Sequence, residues 1–270
     1  MTPVAVASVR EALEGAVPAL AAVGCDTPQL DAEILIADAL GVDRAALAAD
    51  PERPVTAPAA RLIGDRIRRR LEREPVAYIL GRKGFRHIEL AVDRRVLIPR
   101  PETELLVEVA LSLPPAARVH EVGTGSGAVA LALADERPDL VMSASDASPA
   151  AVEVARANAA RLGSGLSIDV ARGLPAGGHD LVLANLPYVR EDEWDALQPE
   201  IVKWEPREAL VAGEEGLDAI RQLVATAPAG TRLALEHAPA QAEAVCGLLS
   251  EAQTLRDLAG RDRVTVGSSA

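Results

Sequence analysis

Residues 120–133 read HEVGTGSGAVALAL. An apolar strand runs into three alternating glycines, Gly123, Gly125 and Gly127, and these open a stretch with helical periodicity. Glycine lets the backbone turn tightly and lets a ligand approach without meeting a Cβ. The helix that follows presents free N–H groups at its start. Spacing separates this loop from two common nucleotide loops. A dinucleotide fingerprint is G-x-G-x-x-G, whereas here the third glycine comes one residue early and Ala128 follows. A P-loop carries Lys-Ser or Lys-Thr after its last glycine, and neither follows here. A tight strand-to-helix turn with no ligand is the plain alternative.

Outward from the loop the chain alternates strands and helices. A helix (103–113) precedes the strand 117–122. After the loop helix (127–137) come a strand (140–145), a helix (149–163) and two strands, 166–170 and 181–185. A helix (216–227), a strand (232–237), a helix (239–252) and a hairpin (254–258 with 263–267) complete the order, and the last residues, 267–270, read as frayed. This alternation implies right-handed crossovers and an α/β fold with a mainly parallel sheet, of Rossmann-like type. Residues 1–75 carry only helical patterns, in 6–24, 28–41 and 59–74, and read as a small all-helical domain. Residues 76–98 (VAYILG, FRHIELAV, RVLIP) read as short strands linking it to a domain over 99–270.

Bulk properties limit the function. The net charge of −12 argues against a general nucleic-acid binder. Cys25 and Cys246 are isolated thiols without disulfide or metal spacing, and no metal cluster is evident. No stretch approaches a membrane span and the N-terminal residues do not resemble a signal peptide, so a soluble, cytoplasmic protein with no membrane partner is expected. The run Arg66, Arg68, Arg69, Arg70 and Arg73 reads as a solvated helix face, with a docking face for an acidic partner as the alternative.

The loop gains meaning from its neighbours. Glu121 precedes it, and an acid before G-x-G-x-G suits S-adenosylmethionine, which carries an amino-acid end and no pyrophosphate. Cofactor contacts are therefore expected from Glu121, Gly123, Thr124, Gly125, Ser126 and Gly127. Asp146 and Ala147 end the next strand, about 20 residues on, where this fold places an acid that accepts from ribose hydroxyls. Asp146 can equally cap the following helix, and the two roles are compatible. The strand 181–185 ends in Asn185-Leu186-Pro187-Tyr188, in a chain only 2% aromatic. As the fourth strand in order, it should finish beside the glycine loop, where open α/β sheets bind ligands. An Asn-x-Pro turn is the bland reading.

Asn185-Leu186-Pro187-Tyr188 resembles the (Asn/Asp)-Pro-Pro-Tyr motif of methyltransferases that act on amide or exocyclic amine nitrogens. VLIPRPETELLVE (96–108) resembles a signature of the HemK/PrmC family, and so do DAEILIADALG (31–41), EPVAYILGRKGFRHIEL (74–90), EPREALVAGEEGLDAI (205–220) and LALEH (233–237). The resemblance spans nearly the whole chain in unbroken order. It implies a class I methyltransferase domain that methylates the glutamine of the Gly-Gly-Gln motif in peptide chain release factors, with S-adenosylhomocysteine as product. The helical domain would then dock the protein partner. The resemblance makes Asn185, Leu186, Pro187 and Tyr188 catalytic, with Asn185 also near the cofactor, and lets Arg100, Pro101, Glu102 and Thr103 line the substrate approach. Thr103 or Glu102 as a helix cap is the alternative. The family generally has Pro where Leu186 stands, and an acidic or aromatic residue at the adenine where Arg172 and Gly173 stand; Glu121 replaces a commoner Asp. These departures motivate two rivals: a relative redirected to another amide or amine, and a non-catalytic release-factor binder. Asn-Leu-Pro-Tyr also resembles ribosomal-RNA adenine methyltransferases, against which the acidic charge and VLIPRPETE weigh. Glu236 and His237 read as structural, with His237 as a general base the alternative.

Overall fold

The computed structural model describes residues 5–270. The chain divides into two compact units, one taking the chain up to Gly81 together with Pro199–Trp204, the other taking Arg82–Gln198 and Glu205–Ala270. In the first lie β1 (Ala5–Ser8), α1 (Val9–Ala22), α2 (Pro28–Leu40), α3 (Arg44–Ala49), β2 (Pro54–Thr56), α4 (Ala57–Leu71) and α5 (Val76–Leu80). There follow β3 (Arg82–Phe85), β4 (Ile88–Ala91), α6 (Glu104–Leu111), β5 (Arg118–Val122), α7 (Ala128–Glu136), β6 (Val141–Asp146), α8 (Pro149–Leu162), β7 (Ser167–Val170) and β8 (Leu181–Ala184). The chain ends with α9 (Pro199–Trp204), α10 (Asp218–Thr226), β9 (Arg232–Glu236), α11 (Ala242–Cys246), β10 (Ser250–Arg256) and β11 (Asp262–Ser268).

In the first unit each helix starts where local chemistry allows. Ser8 caps α1 with a reciprocal box to Glu11, α2 opens on Pro28 and stops at left-handed Gly41, and Asp43 caps α3. Their inner faces bury Val9, Leu20, Leu35, Ile36, Leu47 and Ile63. Two local expectations change. Residues 5–8 form a strand paired antiparallel with 54–56, so this unit also holds a small sheet. Residues 76–80 are a helical turn ended by left-handed Gly81. A five-residue apolar run carries no period that distinguishes the two states.

The arginine run is neither a solvated face nor a free docking face. Arg66 pairs with Asp38 at 2.5 Å and Arg69 holds Glu74 through two bonds. Arg70, buried, donates to buried Asp31 at 2.7 Å and reaches Glu200 of α9 at 2.8 Å, and Arg73 joins Glu200 at 2.5 Å. Only Arg68, paired with Asp65, is well exposed. The cationic run therefore acts inside its own unit.

The second unit is a seven-stranded sheet in the order β10-β11-β9-β8-β5-β6-β7. Strands β5 to β9 run parallel, and β11 enters antiparallel between β9 and β10. All four residues of β8 are buried, as a central strand covered on both faces requires. Arg82–Phe85 pairs antiparallel with Ile88–Ala91, so the single expected strand at 85–92 folds back as a hairpin with residues read as a turn, and 95–99 form no strand. Helix α11 is shorter than its apolar pattern, because Ser250 onward pairs with β11 as an edge strand. The C-terminus is not frayed: the Ser269 N–H donates to the Thr231 carbonyl and its hydroxyl to that of Pro228, burying the residue.

Register places the site. Val122 at the end of β5 stands opposite Ala184 of β8 and Ser145 of β6. Ala184 in turn stands opposite Leu235 of β9. The glycine loop, Asp146, Asn185 and Glu236 thus leave one edge of the sheet together.

Candidate active site

The glycine loop encloses one side of a cavity of about 430 Å³. Gly125 sits at φ +55°, and a Cβ there would meet no protein atom within 4 Å, so the loop opens onto the cavity at this point. Gly127 (φ +86°) serves packing instead: a Cβ would stand 2.8 Å from Leu131 Cδ1, and the residue opens α7. A Cβ on Gly123 would meet Leu186 Cδ2 at 2.9 Å. Leu186 thus presses its side chain onto the loop and onto the core around Val122 and Leu235.

Two carboxylates brace this loop. Glu121 is buried; its Oε2 accepts from the Thr124 hydroxyl at 2.5 Å and the Ala130 N–H at 3.0 Å. Burial nevertheless pushes its carboxyl up to about 8. Asp146 accepts the Gly125 N–H at 2.9 Å on one oxygen and the Ser148 N–H at 2.8 Å on the other. The cap of α8 is Ser148, not Asp146. Asp146 therefore ties the second strand to the loop and keeps further lone pairs for a ligand.

Asn185 faces the same cavity. Its Nδ2 donates to the Thr103 hydroxyl oxygen at 3.0 Å, which leaves Oδ1 as the acceptor on offer. Thr103 makes no capping bond to α6; the short 3-10 turn Pro101–Thr103 places it against Asn185 instead. Tyr188 is half-buried, and burial pushes its hydroxyl up to about 12. Its carbonyl accepts from Gln241 Nε2 at 3.0 Å, and a Cβ on Gly216 would come within 2.2 Å of it. Of the residues picked out in the sequence, Arg100, Thr103, Glu121, Gly123, Thr124, Gly125, Ser126, Asp146, Ala147, Asn185, Leu186 and Pro187 line the cavity, as do Arg172 and Gly173. Pro101, Glu102, Gly127 and Tyr188 stand outside the lining.

Other residues escaped sequence reasoning. Glu205 is buried, pairs with Arg100, and accepts the Ile98 N–H at 3.1 Å, fixing the segment that carries Thr103. Ala219, Gln222 and Leu223 of α10 line the cavity beside Gly173. No spacing rule links residue 205 to 98; only the helical period of α10, with its apolar face inward, pointed toward the sheet. Glu102 is engaged by Arg261 at 3.0 Å. His237 is fully buried with both ring nitrogens satisfied, Nδ1 by the Ala238 carbonyl and Nε2 by Thr265 Oγ1, so it has no free nitrogen for base chemistry.

Comparison with known proteins extends this picture. The PrmC N-terminal domain family matches residues 11–81 and the Methyltransferase small domain family matches 101–215. The Release factor glutamine methyltransferase of Cereibacter sphaeroides is 43% identical over 267 residues, covering 94% of this chain and 96% of that protein. That of Coxiella burnetii is 39% identical over 275 residues, covering 96% and 98%. Among solved structures, the human Mettl16 catalytic domain in complex with the MAT2A 3′UTR hairpin 6 shares 16% identity and a TM-score of 0.51, covering 76% of this chain and 82% of that one, a likeness of fold alone. With relatives of this identity aligned along nearly its whole length, the chain belongs to the release factor glutamine methyltransferase family.

Proposed function

We infer that the chain methylates the side-chain amide nitrogen of glutamine in the Gly-Gly-Gln motif of a peptide chain release factor. S-adenosylmethionine is the methyl donor, and S-adenosylhomocysteine the product. The observation that carries this reading is Asn185. Its NH₂ is spent on Thr103, so its oxygen is what it offers to a substrate N–H at a cavity bounded by Gly125, Glu121 and Asp146.

The cavity suits the cofactor. Gly125 leaves backbone space open, and two carboxylates flank the loop where amino-acid and ribose ends need acceptors. Arg172 and Gly173 take the place of an acidic or aromatic residue, and Gln222 and Leu223, which line the same cavity, would hold the adenine with them. When bound, the cofactor supplies an electrophilic methyl on a sulfonium.

The chain's own residues supply position. An amide nitrogen is a poor nucleophile because its lone pair is conjugated, as the rotation barrier of about 18–20 kcal/mol records. Asn185 Oδ1 and the Leu186 carbonyl accept the two amide N–H bonds and favour the partly positive nitrogen of the transition state. Pro187 biases Leu186 toward extended geometry, which would present its carbonyl to the substrate. Leu186 also contributes packing against Gly123. Held this way, the amide nitrogen would be presented to the methyl of a bound cofactor at the near-attack distance of about 3–3.5 Å that transfer needs. Arg100, fixed by Glu205, guides the approach.

The unit before Gly81 is assigned to docking the release factor. Its buried arginine network gives it a core of its own. Among the described residues no helix is long and apolar enough to cross a membrane. Transfer of radiolabelled methyl to an unmodified release factor tests the reading. Label is expected on the wild-type factor and not on one whose Gly-Gly-Gln glutamine is replaced; equal label on both would contradict it.

A further inference from the structure

Glu236 ends β9, next to β8, which leads into Asn185. It is only 1% exposed, and among the described residues its carboxylate oxygens are left without a well-formed hydrogen bond, with the Thr103 hydroxyl near enough to favour the charged form. A buried acid left without a partner is costly, and burial pushes its carboxyl up to about 7. The groups that face it are few. Thr103, from the turn before α6, and the cations Arg263 of β11 and Arg100 favour its charged form. Glu102 opposes it, and Tyr188 also feels the charge. His237, the next residue, turns its ring to Thr265 instead. Thr103 is at the same time the acceptor for Asn185 Nδ2.

We propose that Glu236 is a positioning residue for methyl transfer: as a carboxylate it accepts the Thr103 hydroxyl proton in a hydrogen bond, leaves Thr103 only lone pairs to offer Asn185, and so holds the Asn185 carboxamide with its oxygen toward the substrate. This rests on the methyl-transfer reading above. A hydroxyl has one proton and two acceptor positions. When its proton points at Glu236, Asn185 must present NH₂ to Thr103 and Oδ1 to the cavity. When Glu236 is itself protonated, it can donate to Thr103, and the freed hydroxyl proton then suits Asn185 Oδ1. The amide would turn over and face NH₂ toward the substrate NH₂, donor against donor. Transfer therefore requires the ionised acid, and activity rises with pH through its protonation midpoint.

The test compares wild type with Glu236→Gln and Glu236→Asp, using S-adenosylmethionine and an unmodified release factor at pH values on both sides of about 7. Wild type is expected to show a rising limb in kcat with that midpoint. Glu236→Gln should lose the limb and about 10–100-fold in kcat, with cofactor affinity by calorimetry unchanged; Glu236→Asp should keep the limb. In infrared titration of the wild type, a carboxyl band should disappear over the same range and be absent from Glu236→Gln, which separates it from Glu121. An active wild type alongside a Glu236→Gln variant that keeps both kcat and limb would overturn this role alone. An inactive wild type with intact titration would sink the methyl-transfer reading and this role with it.

Discussion

Asn185 and Thr103, 82 positions apart in sequence, meet in a single 3.0 Å hydrogen bond in which the amide donates. That polarity decides which atom of Asn185 faces the cavity. It joins the motif after β8 to the segment before α6, and any account of turnover passes through it.

Asn185→Ala removes the side-chain acceptor and should lower kcat by about 10²–10³-fold, the usual loss for one preorganised transition-state contact. Thr103→Val keeps the volume but loses the hydroxyl, so kcat should fall while the KM for the cofactor changes little. Thr103→Ser should recover most of the rate. Steady-state kinetics on a release factor substrate checks the series, and equal rates for Val and Ser at position 103 would count against the contact.

The glycines of the loop should separate by readout. Gly125→Ala places its Cβ in open space, so the fold should lose only the strain of a positive φ, about 1 kcal/mol, while cofactor affinity falls. Gly127→Ala carries the same strain plus a clash with Leu131 at 2.8 Å, and should cost more stability. Thermal melting and calorimetry on both variants measure the contrast.

Two buried acids make stability depend on pH. Burial raises Glu121 to about 8 and Glu236 to about 7, from an ordinary 4.5. Each group binds its proton more tightly folded than unfolded. Its stabilising contribution is whole below 4.5 and is lost as pH rises through the folded midpoint. For Glu236 the loss is on the order of 3 kcal/mol. Urea unfolding should show Glu236→Gln more stable than wild type above about pH 8, with the advantage gone near pH 5.

The buried cations of the first unit should behave unlike the exposed ones. Asp31→Ala takes one of two carboxylates from the buried Arg70 guanidinium, leaving Glu200, and should cost about 1–3 kcal/mol. Arg68→Ala breaks an exposed pair and should cost less than about 1 kcal/mol. Chemical denaturation of the two variants decides whether the arginine run is internal structure.

What was legible in the sequence was local or periodic. The loop 123–127, the strand ends at Asp146 and Asn185, and the order of α/β elements all follow from glycine spacing and apolar period. Short apolar runs were not: 76–80 suits strand and helix alike until Gly81 closes the turn. Residues 250–252 carried helical spacing but pair with β11, extending the expected hairpin strand from 254 back to Ser250. The supports of the site were invisible for another reason. Glu205 on Ile98, Gln241 on Tyr188 and Thr103 on Asn185 each join distant segments, and only the folded sheet brings them together. Charge misled in one place, since Arg70 and Arg73 are partnered within their own unit by Asp31 and Glu200.

The most direct measurement is peptide mass spectrometry of an unmodified release factor after incubation with this protein and S-adenosylmethionine. A single added methyl on the glutamine of Gly-Gly-Gln, lost with Asn185→Ala, is the expected result. An unmodified glutamine, with the cofactor bound by calorimetry, would contradict the assignment and show that Leu186 in place of proline has moved this site to another substrate.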